Sequence, residues 1–282
     1  MIFVIMADDE RAGALIYLCS ILEQLSETQR PNFICLENVP GFHQSNTHKL
    51  WIETLKKCGY YFFEFLLTPT QFGIPNERIR YFCAARKVPW QQIEYETITS
   101  KIPGDITMHE KTEIEDHSQF YSITGKEYFL KNAERSDTYF SNCQPLLHYL
   151  DSVEWDESAV VPEYFVTRCA KYKHDFVNPR YKRSSCFTSG YSQNARGAGS
   201  ILYLNYDELS EEELEQVPLL THEIVQKCKV RFFTPREILK LMSFPDSFLL
   251  PDNIKLERKY KLIGNSISVI CGARVLAFLF SE

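Results

Sequence analysis

The stretch CLENVPGF, Cys35 to Phe42, places an acid and an amide where an apolar segment runs into a loop. The residues just before it continue the apolar segment, which predicts a buried β-strand with Glu37 and Asn38 at its carboxyl end. In α/β proteins, ligands bind outside the carboxyl ends of the strands. The stretch therefore predicts an α/β sheet with a ligand site beside Glu37. Taken alone, it also suits a strand-end residue that caps a loop.

Helices and strands alternate around this stretch. Apolar residues at spacings of three and four predict amphipathic helices, and continuous apolar runs predict buried strands. Pro31 is predicted to end the first helix, and Gly59 the second. The alternation favours an α/β fold, a doubly wound sheet with helices on both faces. In chain order, the predicted elements are a helix over 8–29, a strand over 32–39, a helix over 47–58, and strands over 60–68 and 78–86.

The alternation is lost from about residue 90 to 225, where short polar and apolar pieces follow one another without a period. A helix is predicted again at 235–245, and a loop followed by a long apolar helix at 261–280. We therefore predict that both ends of the chain, 1–90 and 230–282, build one domain. Residues 91–229 are predicted to form a smaller, irregular lobe.

The composition is that of an ordinary folded chain of 282 residues, with 44% hydrophobic and 24% charged residues. Its nine cysteines are odd in number and form no C-x-x-C pair, which predicts reduced thiols and neither disulfides nor a metal site. No signal peptide is recognised, and no apolar run approaches the length that crosses a bilayer. We expect a cytoplasmic or nuclear protein that binds no membrane.

Charge is distributed unevenly along the chain, although the net charge of −6 does not by itself indicate a nucleic-acid partner. The acidic run at 206–216 reads as a solvated surface. The run RCAKYKHDFVNPRYKR, 168–183, interleaves cations with aromatic rings, a combination that suits phosphates and stacked bases. A solvated surface and a nucleic-acid contact both remain open for this run.

Arg78 and Arg80 lie two positions apart on a predicted strand, so both side chains are expected to point to one face. Two neighbouring guanidiniums repel each other unless an anion or another acceptor lies between them. A phosphate or a base oxygen is the expected guest. The alternative is a pair of surface ion pairs with acids such as Glu77.

Four pieces, CLENV, FGIPNERIRYF, SSCFTSGY and LIGNSIS, together resemble the cytosine-5 methyltransferases. The resemblance covers nearly the whole chain from about residue 9. The Cys-Phe-Thr triplet followed by Gly-Tyr is similar to the eukaryotic subgroup that methylates a cytosine in the anticodon loop of aspartate tRNA. The resemblance implies a Rossmann-like, S-adenosylmethionine-dependent methyltransferase sheet, and it makes 91–229 a target-recognition lobe.

The resemblance also implies roles for individual residues. Glu37 would hold N3 and the exocyclic amine of an extruded cytosine, and Arg78 and Arg80 would hold the target nucleotide. S-adenosylmethionine is the implied cofactor and tRNA, or alternatively DNA, the implied partner. The implied cofactor contacts are Asn265, Ser266 and Val269. The implied substrate-facing residues are Asn38, Cys186, Phe187, Thr188 and Tyr191.

Two motifs of the resembled family do not occur in the sequence. These are a glycine-rich turn after a first strand and a Pro-Cys-Gln loop with the attacking cysteine; no cysteine here follows a proline. Cys143 precedes Gln-Pro, but it lies after the Arg78/Arg80 strand, which is the wrong order. We expect that the chain as written does not turn over. It is then either an incomplete gene model or splice form of an enzyme, or a non-catalytic RNA-binding remnant.

Overall fold

The computed structural model describes residues 12–91, 98–109, 140–152, 159–169, 172, 174–194, 197–205 and 221–282. The chain forms two compact units. The first comprises Met1–Thr68, Ile79–Met108 and Ile270–Glu282, and the second Pro69–Arg78 and His109–Val269. Most of 230–282, predicted to complete the first domain, therefore lies in the second unit. The assignment of functions to two domains stays a prediction.

The helices and strands follow in chain order. The strands are β1 (Phe33–Asn38), β2 (Tyr61–Leu67), β3 (Arg80–Arg86), β4 (Phe176–Val177), β5 (Ile201–Tyr203) and β6 (Val230–Arg231). The α-helices are α1 (Gly13–Gln24), α2 (Asn46–Lys57), α3 (Glu163–Cys169), α4 (His222–Lys227), α5 (Pro235–Leu241), α6 (Leu256–Gly264) and α7 (Val269–Leu279). Short 3-10 turns cover Pro40–Gln44, Pro69–Phe72 and Leu146–Tyr149.

The first unit is built on a three-stranded sheet in the order β1-β3-β2. β3 runs antiparallel to both neighbours, so β1 and β2 point in the same direction. The register places Glu37 opposite Phe82, and Phe82 opposite Phe65. Residues directly opposite each other share a face of the sheet, so Glu37 lies on the Phe82 face.

Both faces of this sheet are covered, as predicted. Leu36, Tyr81 and Cys83 pack with residues of α1 and α2 in one apolar cluster. On the other face, the ring of Phe278 from α7 contacts those of Phe63 and Phe65 edge-on, at centroid distances of 5.2 and 5.4 Å. The prediction of a sheet buried between helices is therefore confirmed.

Element boundaries differ from the predicted ones where local signals were weak. α1 ends at Gln24, well before Pro31, and residues 8–11 of the predicted helix lie outside the described residues. The third strand begins at Arg80, so Arg78 precedes it. α2 agrees closely with its prediction because Ser45 caps its start by accepting from the His48 N–H.

The second unit has strands of two or three residues, joined mainly by loops over an aromatic core. A buried ion pair fixes the start of α5. Arg231 donates to both carboxylate oxygens of Glu237, and Glu237 completes a capping box with Thr234. Such a pair is stable when its remaining groups are bonded, and Arg231 also donates to the Phe232 and Ser152 carbonyls.

The C-terminal segment is more helical than predicted. Lys261 to Gly264 close α6 instead of forming a loop, and only the short link 265–268 separates α6 from α7. By length and composition alone, Leu256–Leu279 is apolar enough to cross a bilayer, which corrects the prediction that no run approaches that length. Core helices pass the same test, and α7 buries Cys271, Val275 and Phe278.

Replacing Phe278 by Ala should strongly destabilise the first unit. The ring is 5% exposed, stacks on Trp90 at 5.0 Å and contacts two further rings, so the substitution leaves a cavity. We expect the free energy of unfolding, measured by chemical denaturation, to fall by about 3–5 kcal/mol. Phe280→Ala is the matched control, because that side chain is 60% exposed. Equal losses for both variants would contradict the described packing.

Candidate active site

The end of β1 holds the carboxylate that the sequence singled out. Glu37 and Arg80 lie on one face of the sheet, and the Arg80 Nε is 3.4 Å from Glu37 Oε1. The Arg80 Nη1 also donates to the Ile79 carbonyl at 2.6 Å, which holds the guanidinium close to its own backbone. The predicted association of Glu37 with an arginine is thus present. Because Glu37 is 1% exposed, a base can reach it only after the groups that cover it move aside.

Asn38 lies on the opposite face of the sheet from Glu37, since it is paired with Tyr81 in the register. The Val39 N–H donates to its Oδ1 at 2.8 Å, which tightens the turn after the strand. Its Nδ2 is buried and has no hydrogen-bond partner among the described residues. A direct substrate contact from Asn38, as the resemblance implied, does not fit this placement. The alternation of side chains along a strand explains the difference.

Arg78 belongs to the second unit, where its guanidinium is bonded to two distant segments. Nη1 donates to the Phe187 carbonyl at 2.8 Å and lies 3.2 Å from the Cys186 Sγ. Nη2 donates to the carbonyls of Gly264 at 3.0 Å and Ser266 at 2.5 Å. Arg78 therefore joins the Cys-Phe-Thr and Gly-Asn-Ser motifs. It does not share a guest with Arg80 as predicted, because its donors face protein carbonyls and it is 2% exposed.

The Cys-Phe-Thr segment divides into half-buried and core residues. Cys186 and Thr188 are half-buried, and the Thr188 N–H donates to the Ala198 carbonyl at 2.9 Å. Phe187 and Tyr191, at 1% and 2% exposure, lie in the aromatic core of the second unit. Their rings meet edge-on at 5.0 Å. Both rings therefore support the turn from within the core, and their implied contact with substrate stays a prediction.

The Gly-Asn-Ser loop packs directly on the Cys-Phe-Thr segment. A Cβ at Gly264 would lie 2.2 Å from the carbonyl carbon of Thr188 and 2.2 Å from the Ser189 nitrogen, so only glycine fits. The Ser266 hydroxyl donates to the Ile263 carbonyl at 2.6 Å. Asn265 is exposed after the end of α6. The close neighbour of this glycine is therefore the backbone of Thr188 and Ser189.

Arg183, another buried arginine of this unit, was not singled out in the sequence. Arg183 is 1% exposed and donates through Nη1 and Nη2 to the two oxygens of Asp175, at 2.9 and 2.8 Å. Its Nε donates to Glu77 Oε2 at 3.0 Å. Arg183 belongs to the basic-aromatic run at 168–183, so this cation of the run forms ion pairs inside the protein. Arg168 and Arg180 of the same run are exposed, and its two central lysines lie outside the described residues.

Comparison with known proteins identifies the family. The model of the C-5 cytosine-specific DNA methylases matches residues 6–279. The chain belongs to this family. It is 31% identical, over 97% of its length, to a tRNA (cytosine(38)-C(5))-methyltransferase of Spodoptera frugiperda, of which it covers 73%. It is 28% identical to a DNA (cytosine-5)-methyltransferase of Dictyostelium discoideum, over 97% of this chain and 71% of that one.

The fold agrees with that of a solved relative. A crystal structure of a triple mutant of DNMT2 from Spodoptera frugiperda superposes with a TM-score of 0.72 at 31% identity, covering 98% of this chain and 74% of that one. The Rossmann-like methyltransferase fold and the resemblance to cytosine-5 methyltransferases are therefore confirmed. In this chain, the end of β1, the start of β3 and the loop before α7 carry three of the motifs on which the resemblance rested.

The family implies S-adenosylmethionine as methyl donor, and the three predicted contacts fit it only in part. The side chain of Asn265 is exposed, but the Ser266 hydroxyl and carbonyl are both bonded within the protein. The Val269 N–H donates to the Met242 carbonyl at 2.9 Å. The sequence also lacks the glycine-rich turn expected for the methionine part of the donor. These residues do not form a complete donor site, and no step is derived through the donor.

The described cysteines include several that are buried and poorly suited to act as nucleophiles. Burial raises the pKa of Cys35 to about 11, that of Cys143 to about 12 and that of Cys228 to about 11. Burial also raises the pKa of Cys83. A thiol attacks as its thiolate, so these four groups are unreactive near neutral pH. Cys143, the one cysteine followed by Gln-Pro, is thereby further removed from a nucleophilic role.

The close packing at Gly264 gives a direct test of the site. Gly264→Ala forces a methyl group against the backbone of the 188–189 turn, and that backbone has no side-chain freedom with which to yield. We expect the free energy of unfolding to fall by about 3 kcal/mol, the upper part of the range for overpacking. Gly41→Ala is the control, because its Cβ would meet nothing within 4 Å and should change stability by less than about 0.5 kcal/mol. Similar stabilities for the two variants would refute the described contact.

Proposed function

We propose that this chain carries the target-binding part of a tRNA cytosine-5 methyltransferase that uses S-adenosylmethionine, with the anticodon loop of aspartate tRNA as its substrate. The observation that carries the proposal is the contact between Glu37 and Arg80 at the end of β1. A carboxylate and a guanidinium on one face together match the polar edge of a cytosine. The relatives named as tRNA (cytosine(38)-C(5))-methyltransferases support the choice of RNA.

Each group of the pair matches a different atom of the base. Glu37 accepts a hydrogen bond from the exocyclic amine through one oxygen, and its other oxygen, when protonated, donates to N3. Arg80 donates to O2, the acceptor on the other side of N3. Cytosine is thereby distinguished from uracil, which has an acceptor in place of the amine and a donor at N3. Carbon-5 becomes reactive only after a thiolate adds to carbon-6 and charge builds on the ring, which a donor at N3 stabilises.

The thiolate for that step has no counterpart in the sequence as written. No cysteine follows a proline, and Cys35, Cys83, Cys143 and Cys228 are held as neutral thiols by burial. Removal of a covalent nucleophile leaves an enzyme with binding effects alone. We therefore propose that a polypeptide of these 282 residues binds its target without methylating it.

Methyl transfer by the purified chain tests this proposal. We expect no incorporation of labelled methyl groups from S-adenosylmethionine into aspartate tRNA above a protein-free control, because no thiolate can attack carbon-6. The Spodoptera frugiperda relative serves as positive control. Clear incorporation by the 282-residue chain would overturn the proposed inactivity while supporting the family activity.

Two other functions predict different results in a binding competition. A DNA-directed enzyme is favoured by the Dictyostelium discoideum relative, and it predicts binding to duplex DNA in preference to tRNA. A non-catalytic RNA-binding or scaffold protein predicts tRNA binding that does not depend on the target cytosine. Competition between aspartate tRNA, the same tRNA with uridine at the target position, and duplex DNA separates the three.

Glu37→Ala should remove much of the discrimination between cytosine and uracil. Alanine offers neither the acceptor for the exocyclic amine nor the donor to N3. We expect the wild-type ratio of dissociation constants, about tenfold or more in favour of cytosine, to fall toward unity. The measurement is fluorescence anisotropy with anticodon stem-loops that differ only at the target base.

Glu64→Ala is the matched control for this substitution. Glu64 is a half-buried acid of the same sheet, but it faces α2, where it contacts His48 and accepts from the Tyr81 hydroxyl at 2.6 Å. Loss of discrimination in both variants would indicate general damage to the sheet. Unchanged discrimination in Glu37→Ala would remove Glu37 from the base-binding role.

A further inference from the structure

We propose that Arg183 is a positioning residue that fixes the loop bearing Arg78, which lies two positions before Arg80. The inference rests on the proposed function only for its consequence for target binding. Its structural part stands on contacts within the second unit.

The backbone of the loop is paired with the segment that follows Arg183. The Glu77 N–H donates to the Ser184 carbonyl at 2.8 Å, and the Ser184 hydroxyl donates to the Pro75 carbonyl at 2.7 Å. Glu77 and Ser185 form a parallel bridge. The loop thus runs beside 184–186 like a short strand. The register of the loop against that segment therefore determines the position of Arg78.

The guanidinium of Arg183 fixes this register from the side. It donates to Glu77 on the loop and, in a bidentate pair, to Asp175 just before β4. Planar bidentate pairing holds a guanidinium in one orientation, which a point charge such as an ammonium does not reproduce. A slip of the loop by one residue would take Glu77 out of reach of Nε.

Asp175 is itself held from several sides, which makes it a firm anchor. The Ser200 hydroxyl donates to its Oδ2 at 2.5 Å, and the Ser185 N–H donates to the Ser200 oxygen at 2.7 Å. Burial tends to raise the pKa of Asp175, but the charge and hydrogen bonds of Arg183, with the serine hydroxyls, outweigh it and leave the pKa below its usual value. The carboxylate is therefore charged at neutral pH, as the bidentate pair requires.

Arg78 follows Glu77 directly and depends on this arrangement for its own contacts. Its guanidinium donates to the carbonyls of Phe187, Gly264 and Ser266 only when its backbone holds one position. Phe187 is in turn only a few residues beyond Arg183. The two arginines thus belong to one network. Arg183 holds the backbone of the loop that contains Glu77 and Arg78, and Arg78 bonds to the loop before α7.

The test uses Arg183→Lys in the full chain, with arginine side chains labelled for NMR. Lysine keeps the charge but cannot bond Asp175 in bidentate fashion and reach Glu77 as well. We expect exchange of the Arg78 Nη protons with water to accelerate by roughly tenfold or more, the factor for loss of one charged hydrogen bond. Arg231, buried in the same unit against Glu237, reports on general unfolding and should be unchanged. Arg180→Lys, at an exposed position of the same run, is the control.

Faster exchange at Arg78 with unchanged Arg231 supports the proposal. Unchanged exchange at both overturns it, and equal acceleration at both overturns it in favour of a general structural role. If Arg183→Lys does not fold, Glu77→Ala is measured and judged by the same three outcomes. Discrimination between cytosine and uracil stem-loops is measured in parallel. If the wild-type chain does not discriminate between them, the proposed function is wrong. The NMR result still decides the role of Arg183 in that case.

Discussion

The guanidinium of Arg78 holds together three sequence motifs that are far apart along the chain. It is a buried cation that donates to three carbonyls and a sulfur, from the Cys-Phe-Thr segment and from the loop before α7. Hydrogen bonds that involve a charged donor contribute more than neutral ones, and leaving such a donor buried without acceptors would be costly. The segments therefore have to keep their carbonyls turned toward residue 78, which explains why Gly264 must approach Thr188 so closely.

This constraint also separates two arginines that the sequence suggested were equivalent. Arg78 is committed to the interior of the second unit, whereas Arg80 opens β3 in the first unit beside Glu37. Only Ile79 lies between them, so the chain passes from one unit to the other at this point. One arginine thus links segments of the second unit, and its near neighbour contacts Glu37 in the first. Of the contacts predicted for the pocket, the structure contains the one between Glu37 and Arg80.

Periodicity and local signals predicted the first unit well. α2 has both a capping serine and a glycine after its end, and β1 and β2 are apolar enough to be recognised, so their positions could be predicted. The start of β3 was placed too early, because nothing local shows that Arg78 bonds to residues more than a hundred positions away. The same limit hid the partners of Arg183. Spacing on a strand suggests which side chains share a face, but not whether the strand has begun.

The roles of the motif residues were harder to predict than their presence. The Cys-Phe-Thr segment and Tyr191 belong to the motifs on which the resemblance rested, yet the two aromatic rings are core residues. Residue type alone does not separate the two roles, because an aromatic ring suits both a packed core and contact with a base.

Target binding and methyl transfer depend on different parts of such an enzyme. The proposed match of Glu37 and Arg80 to a cytosine edge needs only the end of β1 and the start of β3. The covalent step needs a thiolate, and a thiol acquires that character near positive charge or solvent rather than in an apolar interior. Cys35 lies on the very strand that carries Glu37, yet burial raises its pKa to about 11, so proximity along the sheet does not make it a substitute. The proposed recognition of the base and the chemistry at carbon-6 therefore rest on different side chains.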